Sequence, residues 1–454
     1  MKNLKILLVL LLAAVLSNSC MVGPKYQKPE QPQPQSFLYG NKTTDTTSNV
    51  TTIKWSSIFN DDVLIGLIEK GIQNNFDLKM AVARIEQARA NLGMARADLY
   101  PSFGYSGQVN SAQTFIQSSS LVANMSWELD FWGKLRHQNR ALQNELLATD
   151  EARKVILTNV ISGIAIAYFE LRDYDNQLEI TIHTLETREK AYNIINERFL
   201  SGYVAELDKV QIEQQVAIAQ SNIPLIKRQI TALENTISIL TGEIPGPVPR
   251  GKTNSELMVT SDFPISVPSA LLENRPDVKR TEFLYRSAYE TIGVAQAMRL
   301  PSFNIVALAG YTSVMVSNLF DNSSYIQNVG AGVAGPIFNF GKNKRRVEVN
   351  RQIAEESKFL FQKTYLTAIS EVENSLQNVA MYKEEWTARN RQVIAAQKNY
   401  DLSNARYYNG YVSYLEVLDA QRSLFEAQLS LSQLTQKQLS SMVQLYKALG
   451  GGWN

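Results

Sequence analysis

The sequence predicts a mixed, mainly α chain built by internal duplication, in which pairs of membrane-length β-strands run into very long helices. Three observations carry this. The 454 residues align with themselves at offsets of 200 and 208. Two runs between residues 101 and 133 alternate apolar and polar residues with the period of a strand. The stretches 134–201 and 342–409 contain no proline, and Gly163 is the only glycine in either.

The chain opens on an export signal, residues 1–19. Lys2 and Lys5 precede an apolar run from Ile6 to Leu16, and Ser17, Asn18 and Ser19 form a cleavage zone. Eleven apolar residues are too few for a membrane-spanning helix, which takes about 20, and no later segment is expected to cross a membrane as a helix. Cys20, the sole cysteine, stands where bacterial lipoprotein signals place the lipid-modified residue. Leu16 lies one place early for a typical lipobox and Asn18 fills a position usually held by a small residue. The other reading of Cys20 is a buried free thiol. Met21 follows, and no Asp retains the chain at the inner membrane by analogy with lipoproteins. Within the N-terminal segment 20–74, Pro24, Pro29, Pro32 and Pro34 make 23–36 an extended tether.

The repeat comes next. At an offset of 200, nine of 29 positions in 75–103 match 275–303, including Asp77/Asp277, Gly93/Gly293 and Pro101-Ser102-Phe103/Pro301-Ser302-Phe303. At 208, seven of 23 positions in 198–220 match, including Arg198/Arg406, Gly202/Gly410 and Tyr203/Tyr411. Gly133-Lys134 and Gly341-Lys342 share the second offset. The second copy therefore gains eight residues between these markers, as a surface loop tolerates. The copies span 75–241 and 271–449, joined by a Pro/Gly-rich linker at 242–270 and followed by a tail at 450–454.

Each copy reads helix, two strands, very long helix, turn, helix. Phe103, Tyr105, Gly107 and Val109 alternate with polar residues. So do Leu121, Ala123, Met125, Trp127, Leu129 and Phe131, with Val122 the exception. Runs of about 10 residues with aromatics near their ends suit transmembrane strands; a half-exposed soluble hairpin shows the same alternation. In 301–312 and 325–338 the pattern is less clean, with Val306 and Leu308 on the polar face and Asn328, Gly330, Gly332 and Ala334 making it small. Leu157, Val160, Ile161, Ile164, Tyr168 and Leu171 form a helical stripe. A helix of some 67 residues reaches about 100 Å and implies a coiled-coil-like assembly. Gly202 and Gly410 end the long helices. Shorter helices follow at 203–241 and 411–448. Pro224 is expected to kink the first; its counterpart Ser432 is not.

Composition excludes several classes. One cysteine forms no intramolecular disulfide and no Cys-based zinc site, and two histidines, His137 and His183, leave little for His-rich metal or triad chemistry. From residue 20 onward 43 basic and 43 acidic residues balance, against nucleic-acid binding. No phosphate loop, nucleophile elbow or metal-ligand cluster is present. No enzyme activity and no cofactor are expected, and the scattered methionines single out no soft-metal cargo.

Four strands cannot close a membrane barrel, whose smallest form has eight, and open edges in lipid leave backbone groups uncompensated. Spanning strands must therefore be shared among protomers. Cys20-Met21-Val22-Gly23-Pro24-Lys25-Tyr26, Asn274-Arg275-Pro276-Asp277-Val278, and Arg406-Tyr407-Tyr408-Asn409-Gly410-Tyr411 through Leu415-Glu416-Val417-Leu418-Asp419-Ala420-Gln421 resemble the TolC-like outer-membrane factors. The likeness is to their NodT-type lipoprotein branch, which serves resistance-nodulation-division pumps. It covers essentially the whole mature chain. The resemblance implies a homotrimer with a twelve-stranded barrel in outer-membrane lipid, a long periplasmic α-helical barrel and a mixed equatorial domain. It also implies a periplasmic adaptor and an inner-membrane pump as partners.

The resemblance further implies that Glu416 and Asp419, three apart on one helix face, line a closed periplasmic aperture; the other reading is a solvated face. Asp208 matches Glu416, while Gln211 replaces the second acid. Arg198, Gly202, Tyr203, Arg406, Gly410 and Tyr411 are candidates for adaptor docking, although the glycines and arginines also serve simply to end helices. The expected function is a passive exit duct for small molecules or ions, opened at its tip by adaptor and pump. A general diffusion porin and a soluble periplasmic scaffold are the alternatives.

Overall fold

The structure, a computed structural model, describes residues 21–30, 38, 61–110, 118–257 and 275–451. The export signal, Cys20, Asn274 and the linker beyond 257 lie outside the described residues. The element order is α1 (Asp62–Asn74), α2 (Phe76–Ala97), β1 (Ser102–Asn110), β2 (Ser118–Leu129), α3 (Lys134–Leu200), α4 (Glu206–Thr241), α5 (Pro276–Ala297), β3 (Ser302–Ser313), β4 (Tyr325–Ala334), α6 (Lys342–Tyr408) and α7 (Tyr414–Ala448). Two short 3-10 turns lie between β3 and β4, where the second copy carries its extra residues.

The duplication is visible in the backbone. Every glycine with positive φ among the described residues falls into a pair 208 apart: Gly133/Gly341, Gly202/Gly410 and Gly242/Gly450. The helices α2 and α5 each have 22 residues and start exactly 200 apart, while α3 and α6 each have 67.

Contacts divide the chain into two compact units. The first contains 82–152, 277–364 and the N-terminal strap. Its sheet is antiparallel in the order β1-β2-β3-β4, so among the described residues β1 and β4 each present a free edge. Partners directly across an antiparallel pair share a face, and the register makes the apolar face continuous. Phe103 faces Met125, Ala307 and Val329 in turn, and Leu129 faces Phe303 and Val333. The less regular face of β3 has a simple cause. Val306 lies across from Gly330, and Leu308 across from Asn328, so bulk meets small residues. Aromatic clusters bound the apolar face: Tyr311 with Phe320 and Tyr325 at one end, Phe303 with Phe131 and Trp132 at the other. From Phe303 to Tyr311 is about 27 Å at roughly 3.4 Å per residue, the height of the lipid band of an outer-membrane barrel.

The strap, residues 21–30, is extended as its prolines require, and it is docked along α5. The Val22 N–H donates to the Trp132 carbonyl at 3.1 Å. Tyr26 packs on Tyr285 and Tyr289, its hydroxyl donates to Glu282 at 3.3 Å, and Arg286 lies over its ring. The Tyr289 hydroxyl returns a bond to the Lys25 carbonyl at 2.9 Å. Burial pushes the Tyr26 phenol up to about 12.

The second unit contains 61–81, 153–257, 275–276 and 365–451 of the described residues. Its core is the stripe expected on α3: Val160, Ile161, Ile164, Tyr168 and Leu171 are buried against Leu64, Leu67 and Ile68 of α1, Ile237 of α4, and Leu439 and Val443 of α7. Burying each such side chain contributes about 1.5–3 kcal/mol. By length and composition alone α3 contains a stretch apolar enough to cross a membrane, contrary to the sequence expectation, but most of that stretch is buried within the protein. It serves as core. Asp61 caps α1 by accepting from the Val63 and Leu64 N–H groups at 2.9 and 3.3 Å. It also accepts from the Tyr168 hydroxyl and the Lys252 N–H, both at 3.0 Å, which pins the linker to the core. Helix α4 runs on through Pro224, without a break in its assignment.

Candidate functional site

The turns that close α3 and α6 are built identically. Gly202 takes φ +78° and Gly410 φ +76°. In each, two backbone bonds end the helix. Gly202 N–H reaches the Phe199 carbonyl and Tyr203 N–H the Arg198 carbonyl, both at 2.9 Å. Gly410 reaches Tyr407 and Tyr411 reaches Arg406, both at 3.0 Å. Carbonyls that the helix end leaves unpaired are thereby satisfied. A Cβ on either glycine would meet open space, so conformation, not crowding, demands glycine here.

Beyond the turns, α4 and α7 begin with acids. Glu206 and Asp208 lie in the first turn of α4, and Glu416 in that of α7, where the positive end of the helix dipole favours them. Glu416 and Asp419 sit together on the exposed face of α7, while Val417, Leu418, Ala420 and Gln421 are buried on the other. Asp419 pairs with Arg422 at 2.9 Å; both are exposed. Asp208 is half-buried.

The docking candidates are unequal. Tyr203 and Tyr411 are 83% and 76% exposed, beside exposed Leu200, Leu207, Tyr408 and Leu415 at matching places in the two copies. Arg406 is exposed, but Arg198 turns inward. Its guanidinium donates to the Tyr407 hydroxyl at 3.1 Å and lies over that ring. Tyr407 in turn stacks on Tyr414, with ring centres 5.1 Å apart, in a small core with Ile195, Ile212, Val417 and Leu418. Burial raises the Tyr414 phenol above its ordinary range.

Sequence reading missed the burial of Tyr414, Arg188 and Asp173. Tyr407 and Tyr414 continue a seven-residue spacing from Tyr400, a signal that was available. Arg188 is 1% exposed. It donates to the Gln215 carbonyl at 2.8 Å and lies over Phe425, and burial lowers its pKa. Asp173 accepts from the Ser432 hydroxyl and from Gln177, and burial raises its pKa. Ser432 thus has a partner on α3 where its counterpart Pro224 offers no hydroxyl. No cluster of metal-binding side chains occurs among the described residues.

The family model for outer membrane efflux protein matches residues 67–243 and 267–451, one stretch for each copy. The chain belongs to this family. Among efflux-protein relatives, the cation efflux system protein CusC of Escherichia coli K12 is 30% identical, with 97% of this chain and 98% of CusC covered. The probable outer membrane lipoprotein SilC of Salmonella typhimurium is 28% identical over 97% of both chains. A crystal structure of CusC superposes with a TM-score of 0.85 at 29% identity, covering 95% of this chain and all of that one.

Proposed function

We propose that this efflux-family protein is the outer-membrane exit duct of a tripartite efflux system. Three copies contribute four strands each to one twelve-stranded barrel, and their helices form a periplasmic α-helical barrel. A periplasmic adaptor engages the turns at Gly202 and Gly410, and an inner-membrane resistance-nodulation-division pump supplies the cargo and the energy. The duct performs no chemical turnover. It passes small molecules or ions without selecting them through a dedicated site.

The observation that carries this reading is the open sheet. Its outward face is apolar and banded by aromatics, yet β1 and β4 have no second partner strand among the described residues. In lipid each unpaired backbone group costs several kcal/mol, so edges must meet edges of other copies. Cys20 fits the scheme as the lipid attachment point, since Met21 and Val22 pack beside the end of β2 where the apolar band stops. The Glu416 and Asp419 carboxylates of three copies make an acidic ring at the closed end, with Asp208 contributing from the first repeat. Such a ring attracts cations and repels itself.

The test is the mass of the detergent-extracted complex from purified outer membranes, bound detergent subtracted, together with rescue of efflux in a strain lacking its own duct. Three protomers and rescue that depends on adaptor and pump are expected. A monomer, or full export without the pump, refutes the reading.

A further inference from the structure

The two strand-to-helix elbows of the sheet unit have the same backbone and opposite surroundings. At the first, Lys134 pairs with Glu128 at 2.6 Å and Arg136 with Asp130 at 2.9 Å. Asp130 also caps α3, accepting from the Leu135 and Arg136 N–H groups at 3.0 Å. Strap residue Met21 packs on Gly133, whose added Cβ would lie 2.7 Å from it. At the second elbow the residues 208 positions on from Glu128 and Asp130 are Pro336 and Phe338. Lys342 and Lys344, the counterparts of Lys134 and Arg136, are exposed and pair with no carboxylate among the described residues.

The exposed surface there is large and amphipathic. Ile337, Phe338 and Phe340 are 102%, 75% and 90% exposed, the two rings stack 4.6 Å apart, and nothing lies within 4 Å of a Cβ placed on Gly341. Lys342, Lys344, Arg345 and Arg346 follow, with no acid in the first turn of α6. Of these four, only Arg345 has a carboxylate partner among the described residues, Glu348 at 2.7 Å. Cations at a helix N-terminus oppose the dipole. Such a group is stable there when an external anion joins it.

The level of this surface is fixed independently. Its first-repeat counterpart, Phe131 and Trp132, belongs to the aromatic cluster that ends the apolar band. The strap brings Met21, the neighbour of Cys20 in sequence, to that same elbow.

We propose that the second elbow, residues 337–346, binds an anionic phospholipid of the periplasmic leaflet. Lys342 and Lys344 take the phosphate where Glu128 and Asp130 serve the first repeat. Ile337, Phe338 and Phe340 sit among the upper acyl carbons, as aromatic residues do at interfaces. This rests on the reading that the sheet spans the outer membrane, which fractionation of the wild type tests separately.

Full-length protein extracted from outer membranes is examined by native mass spectrometry with added phosphatidylglycerol or phosphatidylethanolamine. The wild type is expected to retain phosphatidylglycerol in preference, and Lys342→Gln/Lys344→Gln to lose that preference by about tenfold or more, while still fractionating with the outer membrane. Equal retention of the two lipids by the wild type, or an unchanged preference in the double variant, overturns the proposal. Displacement of the lipid by millimolar inorganic phosphate overturns it in favour of a free anion. A photo-crosslinking amino acid at Phe340 gives a second readout. A phospholipid adduct supports the assignment, and a protomer–protomer adduct overturns it by assigning the elbow to a neighbouring copy.

Discussion

Arg198 and Tyr407 tie the last turn of α3 to the last turn of α6. The guanidinium donates to the phenol at 3.1 Å across 209 residues of sequence. The partners come from the two repeats, so this bond joins the ends of the two long helices, and under the proposed duct reading it opposes their separation.

Tyr407→Phe keeps the ring and removes the acceptor. A hydrogen bond to a charged group is worth about 1.5–3 kcal/mol, so the open population should rise roughly ten- to hundredfold. Single-channel recording in a planar bilayer checks this. An unaltered conductance in Tyr407→Phe removes the bond from any gating role.

The glycines should separate by surroundings. Gly410→Ala meets only the left-handed backbone and costs about 1 kcal/mol, and Gly410→Asn less. Gly242→Ala adds a clash, since its Cβ would lie 2.6 Å from the Asn74 carbonyl oxygen, a backbone atom. Its loss should be several-fold larger. Thermal unfolding of the detergent-solubilised variants ranks them, and equal losses contradict the argument.

Asp173 gives a pH signature. Burial raises its folded pKa above the ordinary carboxyl value, so its contribution is complete below that ordinary value. It is lost as pH rises through the raised value. Relative to Asp173→Asn, the wild type should therefore gain stability as pH falls through the raised value toward the ordinary carboxyl value. Ser432→Ala removes one donor and should destabilise by about 1–3 kcal/mol while Asp173 is charged, and by less once falling pH protonates it. A pH-independent gap between wild type and Asp173→Asn speaks against the buried charge.

The acids of the proposed aperture should not contribute equally. Asp419 is offset by Arg422, while Glu416 pairs with no base among the described residues. Glu416→Gln should lower cation selectivity more than Asp419→Asn, and Arg422→Gln should raise it. Reversal potentials in a salt gradient measure all three; the opposite order would falsify the aperture assignment of Glu416.

Much of the fold was legible because its signals are local. Gly202 and Gly410 end helices through their own backbones, and the alternation from Phe103 to Leu129 needs no distant partner to be read. Helix α1 was not read, although Asp61 caps it and its apolar residues recur at helical spacing. The pair Gly242/Gly450 was lost among the prolines of the linker. Site residues failed where another helix decides them. Arg198 reads as a helix-end cation, and only Tyr407 turns it inward. Arg188 and Asp173 carry no local signal of burial; Phe425 and Ser432 from α7 meet them.

The bare edges of β1 and β4 also govern biogenesis. A single copy released into the periplasm carries two unsatisfied strand borders flanking an apolar sheet, the template on which chains aggregate. Those borders become harmless only when they meet each other. Copies must therefore assemble before or during entry into lipid. The yield of mature protein should consequently depend on how many newly exported chains coexist, and on the chaperones that keep them apart until they meet.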